Sequence, residues 1–260
     1  MRTKLLVVVL LLCTATLTWG DEWNHEYKVG AKPTVMVDCG DGNVRVVTGT
    51  AQQVQARVTT SGWRIWPDEV RIDANQSGDR VEITIHVPHQ HFSFGSRSIE
   101  VELTVPATSD LDLHTSDGNV SVASVKGSER IRTGDGNVEV RGADGAVSAQ
   151  TGDGNMTIDG RFDQLDLRSG DGEIRATASQ GSKMATGWSL SSGDGDITLR
   201  VPEGFTADLD AHTGDGHVSV DFPVTMSGSM REGTVRGRMN GGGSILSLRS
   251  GDGDLRIGKS

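Results

Sequence analysis

The chain has 260 residues, with 25 Lys and Arg against 35 Asp and Glu, a net charge of −10. That balance disfavours nucleic acid and anionic membrane surfaces as partners, because phosphate binding calls for the opposite sign. Aromatic residues are only 4% and glycines number 35, which speaks against a core of large rings and for a narrow interior of small and β-branched side chains.

Arg2 and Lys4, the apolar run Leu5 to Leu12 and the small-x-small Thr18-Trp19-Gly20 mark residues 1–20 as a signal peptide, with cleavage after Ala15 as the alternative. The run is too short to span a bilayer and no later segment is longer, so no membrane span is expected. The expectation is an exported chain, periplasmic, on the outer surface or secreted. Losing Arg2 and Lys4 would take its charge from −10 to −12. Cys13 follows Leu10-Leu11-Leu12 rather than a small residue, which argues against lipid attachment. Cys39 then has no intrachain partner. It stands where related turns carry Thr or Ser, so a small stacked core residue is expected, with a reactive thiol as the alternative.

Residues 21–33 read as a linker, and 34–106 as a less regular β region with a loop insert at 59–98. Period-two alternation predicts strands at Val35-Met36-Val37, Val44-Arg45-Val46, Val54 to Val58, Val70-Arg71-Ile72, Val81 to Ile85 and Ile99 to Val105. Asn75 to Asp79 is a turn cluster, and Pro67 ends any strand around Trp63 to Trp66.

Residues 107–258 read as a regular repeat. Thr133-Gly134-Asp135-Gly136-Asn137-Val138 returns 18 residues later as Thr151-Gly152-Asp153-Gly154-Asn155-Met156. Eight copies place the shared aspartates at 41, 117, 135, 153, 171, 194, 215 and 252. A repeat this short means a stacked architecture: an all-β parallel β-solenoid with ~18-residue, two-strand coils. Equivalent residues one coil apart should lie over one another, with apolar side chains inward and charged or Thr side chains outward.

The turn glycines Gly134, Gly136, Gly152, Gly154, Gly170 and Gly172 are expected at positive φ, where glycine has little steric cost. The aspartate between them should fold onto nearby N–H groups as an Asx turn. The preceding Thr or Ser, and Asn43, Asn119, Asn137 and Asn155, should form ladders between coils.

The recurring [Ser/Thr]-Gly-Asp-Gly-x-[Val/Ile/Leu], the Val-Pro-led strands and the ending Gly241-Gly242-Gly243-Ser244-Ile245-Leu246-Ser247-Leu248 resemble a bacterial β-strand-repeat family of unknown function catalogued as candidate adhesins. The resemblance covers residues 34–258. It implies an exported or envelope-associated β-solenoid and brings no catalytic residues.

Three residue sets carry candidate chemistry. Asp117, Asp135, Asp153 and Asp171, stacked about 5 Å apart, would repel, and calcium between layers would relieve this. Hydrated structural turns are the simpler expectation, since the calcium nonapeptide of β-rolls is missing. His86, His89 and His91 could hold zinc or copper, though a solvated loop explains them as well. Trp63 and Trp66 with Phe92 and Phe94 would either grip a sugar or protein partner or form a lid over the open end of the stack. Trp188 also falls in an irregular stretch. Acidic residues recur in every turn, so no catalytic pair stands out, and no cofactor is expected. The functional expectation is a non-catalytic surface module binding an unidentified protein or glycan at the cell surface. The alternatives are an envelope or stress-linked accessory protein that binds a partner through 60–98, and a carbohydrate-active enzyme.

Overall fold

The computed structural model describes residues 20–87, 97–226 and 232–260. The signal-peptide stretch 1–19, with Cys13, and Pro88, His89, His91, Phe92 and Phe94 lie outside the described residues. The described chain is all-β, and its strands show the period-two burial that the sequence predicts, as in Thr34–Cys39 and Gln53–Ser61.

In the middle of the molecule the coils stack parallel and in register. Val138, Glu139 and Val140 lie beside Met156, Thr157 and Ile158, which lie beside Ile174, Arg175 and Ala176. The second strand of each coil does the same: Val147 and Ala149 pair with Leu165 and Leu167. In two coils both strands merge into one bent run of 14 residues, Val138–Thr151 and Met156–Ser169. Neighbouring layers satisfy each other's backbone at ~4.8 Å spacing. They also bury continuous columns such as Val44, Val120, Val138, Met156, Ile174, Ile197 and Leu255, all at most 1% exposed. Each such side chain contributes about 1.5–3 kcal/mol when fully covered.

The ends depart from a simple rod. The coil made by Thr34–Cys39 and Gly42–Gly49 does not end the stack. It lies between the strands Arg80–His86 and Ser98–Pro106 on one side and Asp110–Thr115 and Val120–Ala123 on the other. At the other end the last coil, Ile245–Ser250 with Leu255–Lys259, is inserted between Trp188–Ser191 with Ile197–Val201 and Ala207–Thr213 with Val218–Val220. Spatial order along the turns is therefore 41, 117, 135, 153, 171, 194, 252, 215, and the reading that equivalent residues stack in sequence order fails for the last two.

Beyond these tucked coils the strands turn antiparallel. Gln53–Ser61 covers Ser98–Pro106 and Arg71–Ser77 covers Arg80–His86. Thr234–Met239 covers Ala207–Thr213. Such excursions blunt the edges that a parallel stack would leave open. Residues 21–33, expected as linker, hold the strand Glu22–Lys28, antiparallel to Gln53–Ser61.

Two side chains overturn local expectations. Trp188 is in the strand Trp188–Ser191 and is 1% exposed; its ring meets Phe162 edge-on at 6.0 Å and Phe205 at 5.0 Å. A ring this large had to fill a wide layer, which the flanking loop 179–187 allows. Glu129, expected outward as a charged residue, points inward beside Leu111 and Val147. Its Oε2 is buried with no hydrogen-bond partner, and burial pushes its carboxyl up to about 8.

Candidate functional site

The repeated turn builds one edge of the stack. In each layer the Thr or Ser that opens the turn is buried, not outward. Thr151 Oγ1 donates to the Gly136 carbonyl of the adjacent layer at 2.9 Å and accepts from its own Gly154 N–H at 3.2 Å. Ser169, Ser192, Ser250 and Thr213 repeat both bonds. The hydroxyls thus ladder through the backbone and not through each other.

The glycines are required for a reason other than the one expected. None of Gly134, Gly136, Gly152, Gly154, Gly170 and Gly172 has positive φ. They are needed because layers approach too closely for a side chain: a Cβ on Gly154 would lie 2.0 Å from the Gly136 carbonyl oxygen, and one on Gly172 1.9 Å from that of Gly154. The first glycine of each pair is tight too, at 2.7 Å for Gly152 against Gly134. Positive φ appears at the opposite corner instead, for example at Gly142 (φ 65°).

The asparagine ladder is present. Asn43 Oδ1 accepts from Asn119 N–H, Asn119 Oδ1 from Asn137 N–H, and Asn137 Oδ1 from Asn155 N–H, each at 2.9 Å. Asp196 and Asp254 continue it at 2.7 and 2.8 Å, accepting from Asp254 N–H and His217 N–H. This is the side-chain-to-backbone role expected of the turn aspartates. Asp117, Asp135, Asp153 and Asp171 do not perform it. Their side chains are exposed, and among the described residues no hydrogen bond reaches their carboxylates. They form a solvated acidic row, one carboxylate per layer. Among the described residues no group of three or more His, Cys, Asp or Glu converges where a metal would sit.

Cys39 fills a Thr slot as expected of a small core residue, at 1% exposure. Burial pushes its thiol up to about 12. His86 Nε2 sits 2.9 Å from Asp73 Oδ2 on the surface; the other two histidines of that set lie outside the described residues.

The aromatic set divides. Trp63 is half-buried against the core, under the Arg97 guanidinium at 4.1 Å, and its carbonyl accepts from Thr60 Oγ1 at 2.8 Å. Trp66 projects, with 65% of its surface exposed. A groove of about 330 Å³ lies elsewhere, on the outer face of the tucked N-terminal coil, lined by Met36, Asp38, Glu82, Asp112, His114 and Arg132. Sequence reasoning missed it because its residues come from four strands in a spatial order that the repeats do not encode. Among the described residues no helix is long and apolar enough to cross a membrane.

No curated protein matches this chain. Among solved structures it is similar to a candidate cell adhesion protein from Clostridium sporogenes, with 14% identity over 93% of this chain and 100% of that one and a TM-score of 0.45. A candidate adhesin from Bacteroides fragilis is 14% identical over 91% and 97% of the two chains, with a TM-score of 0.46. A candidate lipid binding protein from Parabacteroides distasonis is 14% identical over 92% and 98%, with a TM-score of 0.48. The repeat that builds this edge matches the Toastrack DUF4097 family model across residues 34–258, and the chain belongs to that family.

Proposed function

We propose that this protein is an exported, non-catalytic β-solenoid that serves as an interaction module at the cell envelope or surface. Export is supported by Arg2, Lys4 and the apolar run Leu5 to Leu12. The observation that carries the reading is the register of the turns. Because Gly152 N–H bonds the Gly134 carbonyl and Gly170 N–H that of Gly152, exposed carboxylates recur at one per layer along an edge whose turns are hydrogen-bonded from layer to layer. Such an edge presents a rigid row of charge without ordering cost on binding, which favours recognition of a repetitive or extended surface ligand. The partner is a surface protein or glycan.

Replacing Asp135, Asp153 and Asp171 together by Asn should leave the fold intact, since among the described residues nothing bonds those carboxylates. Binding to whole cells or a glycan array should fall strongly. Wild-type protein that binds neither cells nor glycans would refute the proposal. A second reading, partner binding at the 60–98 region, is favoured by the exposure of Trp66. It predicts that Trp66→Ala, and not the Asp triple variant, abolishes capture.

A further inference from the structure

The strand Glu22–Lys28 ends one side of the stack. Among the described residues it pairs only with Gln53–Ser61, so its other edge is open. Val29 N–H bonds the Gln52 carbonyl and the Asp21 carbonyl accepts from Thr60 N–H. Odd-numbered residues therefore turn their backbone groups inward, and Glu22, Asn24, Glu26 and Lys28 turn theirs to the open edge. On the side that continues the core, Trp23, His25 and Tyr27 lie opposite Val58, Ala56 and Val54. Their rings form a row, with centroids 5.8 Å apart for Trp23 and His25 and 4.6 Å for His25 and Tyr27. Tyr27 is buried, but Trp23 is only half-buried and His25 is exposed, so among the described residues the cover over the core thins toward Trp23.

We propose that this edge pairs with the same edge of a second copy, joining two stacks end to end across a twofold axis at His25. An antiparallel self-pairing centred there sets Glu22 opposite Lys28 of the other copy, Trp23 opposite Tyr27, and Asn24 opposite Glu26. The parity is correct, because the residues placed opposite one another at Asn24 and Glu26 are those whose N–H and C=O groups face outward. The charges are complementary at both ends, and aromatic cross-strand pairs extend the row. A twofold contact of this kind is self-limiting, so it yields a dimer and not a fibre. The Lys28 carbonyl already accepts from Gln76 Nε2 at 2.7 Å. The pairing is therefore anchored on Asn24 and Glu26 and weakens toward its ends. The dimer is independent of the proposed display role and would present two acidic rows on one particle.

Sedimentation equilibrium on the purified protein tests it. Wild type should show a monomer–dimer equilibrium. Glu22→Lys alone and Lys28→Glu alone each set like charges opposite and should weaken it about tenfold. An equimolar mixture of the two variants restores opposite charges at both ends and should dimerise as wild type does, which also shows that each variant is folded. A protein that stays monomeric up to roughly 0.1 mM, a dimer insensitive to both substitutions, or a mixture no better than its components overturns the proposal.

Discussion

Between Lys126 and Val201 the chain adds layers in the order in which it is written, whereas at both ends it doubles back. In the middle, coils that follow one another in sequence lie side by side, most partners being 18 to 23 residues apart, and every strand is covered on both sides by a parallel one. At the ends, the coil carrying Gly42 and the coil carrying Gly253 are enclosed by segments that come later or earlier in sequence, and antiparallel strands close the stack. The contrast teaches that the repeated turn determines how layers fit and not which layer comes next. One Gly-Asp-Gly turn docks on another with the same hydrogen bonds whether they are 18 residues apart or 58, as Gly251 N–H to the Gly193 carbonyl shows.

Breaking the common turn should therefore have the largest effect, and an equal one wherever it is made. Gly154→Ala in the middle and Gly253→Ala in the inserted coil each force a Cβ to within 2.2 Å of a carbonyl oxygen. Each should cost about 4 kcal/mol or more in denaturant unfolding, whereas Gly204→Ala, with nothing within 4 Å, should change stability by less than about 0.5 kcal/mol.

Next comes Glu129, the one core-column position of the regular middle held by a carboxyl. Its folded value of about 8 stands above the ordinary 4.5 of the unfolded chain, so the folded state keeps a proton that the unfolded state loses. The contribution of Glu129 to stability should be complete below pH 4.5, fall as pH rises toward 8, and level off above it, whereas Asp144, Asp163 and Asp210, whose folded values are lowered, act with the opposite sign in acid. Roughly 3 kcal/mol should disappear between pH 4.5 and 7. Glu129→Leu should be more stable at pH 7 and should lose this slope; equal pH profiles for the two proteins would place the carboxyl in water.

Thr151→Val removes the hydroxyl that bridges two layers and should cost about 1–3 kcal/mol by leaving buried backbone groups unpaired. The corresponding slot in the tucked N-terminal coil holds Cys39. Its thiol should resist alkylation at neutral pH until that coil opens, so the labelling rate reports end fraying against global unfolding. The smallest expected effect is that of calcium: added to saturation, it should leave the melting temperature unchanged, and a rise of several degrees would show that the acidic row holds the ion.

Much of this architecture was legible. Period-two valines located the strands, the turn spacing identified the layers, and Asn43, Asn119, Asn137 and Asn155 did form a ladder. What could not be read follows from the same repetition. Interchangeable turns carry no record of order, so the 37-residue interval between Asp215 and Asp252, close to twice the repeat, does not reveal that the chain makes a detour through Thr234–Met239 before inserting. Glycine is also ambiguous in sequence, since a positive φ and a close backbone approach call for the same residue. Glu129 carried a signal, lying two residues before the inward Ile131, but its charge outweighed its parity. At the candidate site, the acidic row was visible from spacing alone. The difference between the half-buried Trp63 and the exposed Trp66 was not, because it depends on packing across the N-terminal end.

The central claim, parallel layers in register with the last coil inserted, is tested most directly by paired cysteines on the outer face. Thr198 lies beside Arg256, and Arg256 beside Ser219, so the strand Leu255–Lys259 separates the other two. With Thr198→Cys and Arg256→Cys, oxidation should close a disulfide readily, since neighbouring strands lie ~4.8 Å apart and a disulfide spans Cα atoms about 4.4–6.8 Å apart. Thr198→Cys with Ser219→Cys should remain reduced. Cross-linking of the second pair and not the first would mean that the coils stack in the order of the chain, and would contradict the inserted layer.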